Sequence, residues 1–193
     1  MKKQSTVVIS KCMAFMPPLV VASSLLAAVS TFQANANELE LSISEELIDL
    51  RFTSGYEQDF AGQLALMHTD FNDLAADQIS YRFFTSDSDS GLQLGAKAFW
   101  LDVEKDGGFG IGLSMGANRS LSDKMDLGFQ LHYAPDIITG GDFDNVMEYD
   151  FRLNYQMVEN GSFFVGYRNI EADNGSVDLE IYDDPYFGLK FEF

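Results

Sequence analysis

The feature that most constrains the fold of this chain is the strict alternation of apolar and polar residues over long segments. Residues 147–157 carry Met, Tyr, Phe, Leu, Tyr and Met at every second position, with Glu, Asp, Arg, Asn and Gln between them. Residues 125–133 repeat this period of two. Because successive side chains of a strand point to opposite faces, both segments predict strands with one apolar and one polar face. Eleven residues exceed an ordinary globular strand and suit a tilted membrane crossing.

The same template predicts about ten strands along the chain. They cover 38–44, 47–56, 60–68, 77–85, 91–102, 108–119, 125–134, 146–157, 162–171 and 185–193. The breaks between them hold turn-forming Ser, Asp, Asn and Gly, as at 86–90, 105–108 and 159–161. A count of eight strands stays open, whereas odd counts are disfavoured because bacterial single-chain barrels have even numbers.

Six basic residues within the predicted strands lie on the face opposite the large apolar side chains: Arg51, Arg82, Lys97, Arg152, Arg168 and Lys190. In a membrane barrel this face lines the lumen, and a charge there needs a partner because an unpaired buried charge is costly. The predicted lumen charge network consists of Arg51, Arg82, Lys97, Asp126, His132, Glu148, Asp150, Arg152, Arg168 and Lys190. Facing charges across a narrow lumen predict a salt-bridged plug with little or no open channel.

Two architectures fit alternating strands, and they differ in where the polar face of the sheet lies. In a soluble periplasmic β-sandwich the polar face is the outside, whereas in a barrel it is the lumen. Continuous apolar faces, glycines on the polar face and aromatics near strand ends favour the barrel. The aromatics assigned to interfacial girdles are Tyr56, Phe60, Phe83, Phe84, Phe99, Trp100, Tyr133, Phe143, Phe163, Tyr182, Tyr186 and Phe193. The predicted fold is therefore all-β, a small closed antiparallel transmembrane β-barrel of 8–10 strands.

The first 36 residues are predicted to be a cleaved secretory signal peptide, which leaves residues 37–193 as one barrel domain. Lys2, Lys3 and Lys11 precede an apolar run, and Ala34-Asn35-Ala36 offers a cleavage site. Cleavage would remove three of 12 basic residues and none of 30 acidic ones, which leaves a formal charge of −21. So negative a chain is not expected to bind nucleic acid. The only cysteine, Cys12, would also be lost.

The C-terminal residues 186–193 resemble the β-signal of bacterial outer-membrane barrels, which the barrel assembly machinery reads. The matching positions of this predicted insertion signal are Tyr186, Gly188, Phe191 and Phe193. As a whole the chain resembles the YfaZ family of small outer-membrane proteins, through residues 37–42, 91–116, 166–168 and 188–191. This resemblance implies a barrel in the bacterial outer membrane, in contact with lipids and lipopolysaccharide. It implies no activity and no functional residues.

Catalytic and ligand-binding patterns are weak. His132 is expected to join the lumen hydrogen bonds. His68 with Asp70 or Asp73 is the alternative, a rim-active membrane enzyme that hydrolyses lipid A or peptide. No residue set predicts a cofactor or a metal site. The leading expectation is a non-enzymatic barrel, either structural or narrow and porin-like, and the sequence leaves its oligomeric state open.

Overall fold

The computed structural model describes residues 38–55, 60–86 and 90–193, and these form antiparallel strands almost throughout. The strands are β1 Glu38–Ile43, β2 Leu47–Ser54, β3 Phe60–Phe71, β4 Leu74–Ser86, β5 Leu92–Val103, β6 Asp106–Ser122, β7 Met125–Ala134, β8 Thr139–Gly141, β9 Asn145–Val158, β10 Gly161–Asp173 and β11 Asp178–Glu192. A single 3-10 turn, Asp136–Ile138, precedes β8. Within these residues we find no helix that is long and apolar enough to cross a membrane. The predicted signal peptide lies outside the described residues.

The sheet closes on itself, and this confirms the predicted barrel. Strands β1 to β7 pair in chain order, β7 then pairs with β9, and β9 to β11 continue in chain order. Closure comes from β1, which pairs with β11 through Leu39↔Phe191 and Leu41↔Leu189. Ten strands form the ring, while the three-residue β8 pairs only with Gly108–Gly110 of β6. The strand count is therefore ten rather than eight. The sandwich alternative is wrong, because a closed sheet leaves no free strand edges.

The two ends of the barrel differ in their connections. We call the end that holds the start of β1 and the finish of β11 the termini end, and the opposite end the loop end. The loop end carries the turns at 44–46, 72–73 and 104–105, the longer segment 135–144 and the loop 174–177. Asn72 and Asp73 both adopt positive φ, 52° and 65°, as a two-residue hairpin turn requires.

Large aromatic side chains inside the barrel face glycines on the neighbouring strand. In register, Phe164 lies opposite Gly188 and Tyr186 lies opposite Gly166. A Cβ added to Gly188 would lie 2.5 Å from the carbonyl oxygen of Leu41, and at Gly166 it would lie 2.6 Å from the Tyr186 ring. The glycines of the polar face therefore make room for inward rings in a tightly curved sheet.

Part of the predicted aromatic girdle is wrong, and Tyr56 of that girdle lies outside the described residues. Trp100, Phe60 and Phe193 are exposed on the outer surface, in agreement with a girdle. In contrast, the rings of Phe84, Phe99, Phe143, Tyr182 and Tyr186 are buried in the barrel interior. Proximity to a strand end does not decide the direction of a side chain, which follows from the parity of its position.

The polarity of the two faces inverts towards the loop end. Along β5, the outward face changes from Leu94 and Trp100 to Asp102, while the inward face changes from Lys97 to the fully buried Leu101. Strand β3 shows the same change, with Asp70 outward and Phe71 inward. An apolar exterior suits lipid and a polar exterior suits water, so the strands extend past the apolar band into the aqueous phase.

Candidate functional site in the barrel lumen

The centre of the lumen is organised around the carboxylate of Asp150 on β9. Its oxygens accept hydrogen bonds from Arg168 Nε at 2.9 Å and from the Tyr186 hydroxyl at 2.7 Å. Arg152 Nη2 lies 3.4 Å away and Arg51 Nη2 lies 3.6 Å away. Three guanidinium groups thus share one carboxylate whose side chain is 1% exposed. An arrangement so deeply buried is stable only while every charge keeps its partners.

A second carboxylate, Asp49 on β2, balances this excess of positive charge. Asp49 Oδ2 accepts hydrogen bonds from Arg51 Nε and from Arg168 Nη1, each at 2.8 Å. Arg168 therefore links β10 to β2 across the lumen. Charge-assisted hydrogen bonds therefore connect strands of the barrel that are far apart in sequence.

The network continues through Lys97 on β5 and Arg82 on β4. Lys97 Nζ forms a short ion pair with Glu148 and donates to Gln78 Oε1 at 3.1 Å. Arg82 donates hydrogen bonds to Ser114 Oγ at 2.5 Å and to Gln93 Oε1 at 2.9 Å. Its guanidinium group also stacks on the Phe84 ring, 4.1 Å from the ring centre. These contacts bring β4, β5, β6 and β9 together inside the barrel.

Towards the termini end, two acids of β1 extend the network. Arg152 Nη1 donates to both oxygens of Glu40, at 3.0 and 2.9 Å. Lys190 Nζ lies 3.3 Å from Glu38 and 2.9 Å from Glu192. Glu38 and Glu40 are absent from the predicted network. Their alternation with Leu39 and Leu41 carries the signal that places them inward.

Nine of the ten predicted network residues lie inside the barrel, and Asp126 lies apart from them. Asp126 is at the termini-end rim of β7, where it accepts a hydrogen bond from Ser120 Oγ at 2.7 Å among exposed side chains. Asp126 occupies one of the alternate positions of β7 that face inward. However, β7 begins only one residue earlier, at Met125, so Asp126 lies at the edge of the barrel. His132 is buried, and its Nδ1 has no hydrogen-bond partner among the described residues.

The loop-end half of the interior is apolar, which corrects the expectation of a polar lumen throughout. Inward side chains from eight strands and from the 135–144 segment form one buried cluster there. It includes Leu47, Met67, Phe71, Phe99, Leu101, Val103, Phe143, Val146, Ile170, Ile181 and Tyr182, which we call the apolar cap. The polarity inversion produces this cap, because the part of the barrel that stands in water needs a conventional hydrophobic core.

The side chains of the salt-bridged layer are tightly enclosed, since Asp49, Asp150 and Arg168 are each 1% exposed. Two cavities of about 10 Å³ each adjoin Gln78, Lys97, His132 and Glu148. Each is about large enough for one water molecule. In the described residues the lumen is thus filled by a salt-bridged layer and, above it, by the apolar cap.

His68, the residue of the enzyme alternative, is on the outer surface near the loop end. Its Nδ1 lies 2.8 Å from Asp77 Oδ1, and both side chains are more than half exposed. In register His68 faces Ile48 on one side and Asp77 on the other, so its ion-pair partner is neither Asp70 nor Asp73.

The loop end is strongly acidic. Desolvation, followed by the negative charges of Asp184, Glu45, Asp70 and Asp73, raises the pKa of Glu46 in the turn between β1 and β2. Within the described residues, no group of three or more His, Cys, Asp or Glu side chains has the geometry of a metal site. The acidic side chains around Glu46 give this end a negative charge.

The residues of the predicted insertion signal point to both sides of β11. Phe191 and Phe193 are exposed on the outer surface, at 45% and 59%. Tyr186 and Gly188 face the lumen, where the tyrosine binds Asp150 and the glycine receives the Phe164 ring. The same strand therefore presents apolar residues outward and completes the charge network inside.

Comparison with known proteins gives a family and several distant structural likenesses. No curated protein matches the chain. The outer membrane channel DcaP of Acinetobacter baumannii is 12% identical with a TM-score of 0.40, over 80% of this chain and 54% of that one. The KdgM porin in complex with disordered oligogalacturonate is 6% identical with a TM-score of 0.42, over 81% and 98%. The NanC porin is 8% identical with a TM-score of 0.41, over 81% and 98%.

This chain spans about half of the DcaP chain and nearly all of the KdgM and NanC chains. The family assignment comes from the sequence itself. Residues 16–193 match the family model described as YfaZ precursor, and the chain therefore belongs to the YfaZ family.

Proposed function

We propose that this protein is a non-enzymatic, structural barrel of the bacterial outer membrane whose lumen is closed. The observation that carries the proposal is the filling of the lumen by two layers. The salt-bridged layer centred on Asp150 fills the membrane-spanning part, and the apolar cap fills the part beyond it. A hydrated ion would have to break charge-assisted hydrogen bonds in one layer and cross a dry hydrophobic cluster in the other.

The exterior of the barrel supports this location. Closed barrels and helices are the only structures that satisfy every backbone group in hydrocarbon. The outward face of β11 is apolar from Phe187 to Phe193, and the outward face of β9 is apolar from Met147 to Met157. Such a surface supports burial in lipid and contact with lipopolysaccharide. The outward Phe191 and Phe193 support insertion of the strand by the barrel assembly machinery.

Electrical recording separates a closed barrel from a narrow pore. The refolded wild-type protein in a planar bilayer should show no steady conductance. Arg152→Ala removes a side chain from the salt-bridged layer, and it should destabilise the barrel or admit brief openings. Steady conductance of the wild type would overturn the closed-lumen proposal in favour of a narrow pore.

Two further measurements test the location and the absence of catalysis. The protein should fractionate with outer membranes and migrate faster in gels when unheated than when boiled; release by osmotic shock would contradict the location. The His68–Asp77 pair is exposed and faces Ile48 rather than a nucleophile in register. Lipid A profiles should therefore be the same with the wild type and with His68→Ala, and a difference between them would restore the enzyme alternative.

A further inference from the structure

A shallow groove crosses the outer surface of β9, β10 and β11. Its volume is about 490 Å³, within the range of small-ligand sites. The residues that line it include Phe151, Leu153, Val165, Tyr167, Pro185 and Phe187. Its walls are almost wholly apolar, so it fits a hydrocarbon chain. It lies within the outward band that faces lipid under the proposed function.

A polar cluster adjoins the loop-end side of this groove. Tyr167 contributes its ring to the groove, and its hydroxyl donates a short hydrogen bond to Asp183. Asn169, the next outward position on β10, donates its Nδ2 to Glu171 Oε1 at 3.1 Å and to Asp183 Oδ1 at 3.3 Å. Two carboxylates therefore converge on one amide beside the apolar groove.

The amide of Asn169 is incompletely satisfied. Its side chain is 3% exposed, and its oxygen accepts no hydrogen bond within the described residues. A buried acceptor without a partner is unfavourable. An ammonium group placed between Glu171 and Asp183 would provide the donors that the amide now gives. The amide could then turn its oxygen towards the ammonium, and all three side chains would be satisfied.

We propose that this surface is a lipid site selective for a phospholipid whose headgroup carries a primary ammonium, the chemistry of phosphatidylethanolamine. One acyl chain occupies the groove beside Val165, and the ammonium lies between Asp183 and Glu171. The phosphate points away from the carboxylates into water. The inference rests on the proposed function, because the groove contacts lipid only if the barrel is inserted.

The headgroup chemistry predicts the order of preference. A primary ammonium offers three N–H donors, whereas the quaternary ammonium of phosphatidylcholine offers none. Phosphatidylglycerol has no positive charge to offset its phosphate and is repelled by the two carboxylates. With a charge-assisted hydrogen bond as the difference, phosphatidylethanolamine should bind about tenfold more tightly than phosphatidylcholine with the same acyl chains.

Native mass spectrometry of the folded full chain, incubated with equal amounts of these three phospholipids, tests the site. The wild type should retain phosphatidylethanolamine preferentially. Glu171→Gln and Asp183→Asn should each reduce the preference, and the double variant should abolish it. Asp77→Asn is the matched control, since it neutralises an outward carboxylate of the same end on β4, and it should keep the preference. Val165→Trp fills the groove and should weaken binding of all three lipids.

The outcomes distinguish this inference from the proposed function. Heat-modifiable migration is measured on the same samples. A folded barrel without a preference for phosphatidylethanolamine, or with a preference that survives in the double variant, overturns the lipid site alone. Unchanged lipid binding in Val165→Trp would refute the claim that an acyl chain occupies the groove. Loss of heat-modifiable migration in the wild type overturns the proposed function as well.

Discussion

Neutralising Asp150 should destabilise this barrel more than neutralising any exposed acid. Asp150 is 1% exposed and faces Arg51, Arg152 and Arg168, and it accepts the Tyr186 hydroxyl at 2.7 Å. Asp150→Asn keeps the shape of the side chain and removes its charge, so the guanidinium groups lose the carboxylate that they share. Removing one partner of a buried ion pair costs about 3–5 kcal/mol, and we expect a loss of that size.

Urea unfolding of the refolded protein, followed by tryptophan fluorescence of Trp100, measures this loss. Asp126→Asn is the control, because that rim carboxylate accepts a hydrogen bond from Ser120 Oγ in an exposed setting. Its effect should stay within about 0.5 kcal/mol. A double variant, Asp150→Asn with Arg152→Met, should lose less than the sum of the two single changes, because it restores the charge balance. If Asp150→Asn unfolds at the same urea concentration as Asp126→Asn, the network does not stabilise the barrel.

Three further predictions test other parts of the structure. Gly188→Ala places a Cβ 2.5 Å from the Leu41 carbonyl oxygen and should lower the folded fraction in a heat-modifiability assay, whereas Gly107→Ala, with its nearest atom at 3.5 Å, should not. Phe143→Ala in the apolar cap should cost about 3–5 kcal/mol in urea unfolding, against little change for Ile137→Ala in the same segment; equal effects would show that the cap is not a packed core. Because the pKa of Glu46 is raised in the folded protein, this carboxyl binds its proton more tightly when folded. Its protonation therefore stabilises the barrel at low pH, and the gain is lost as the pH rises through the folded pKa. Glu46→Gln should flatten this part of the pH–stability curve, and an unchanged curve would contradict the assignment.

Much of the barrel could be predicted because alternation is a local property. Strands β7 and β9 were predicted at 125–134 and 146–157, and they are observed at 125–134 and 145–158. The inward parity of Arg152 and Lys97 followed from the same period of two. The prediction failed for 178–184 of β11, where a register shift near Ile170 and several acids obscure the alternation.

The sequence by itself determined the strands, their two faces and an apolar terminal strand, since these depend on residues that are neighbours in the chain. Only the tertiary structure decided which charges meet, because Arg168 and Asp49 are 119 residues apart and are joined by closure of the sheet. It also decided that the interior is polar in one half and apolar in the other. The alternation of positions along a strand assigns a side chain to the inside of the barrel. Whether the interior is polar or apolar at that level depends on whether lipid or water surrounds the barrel there.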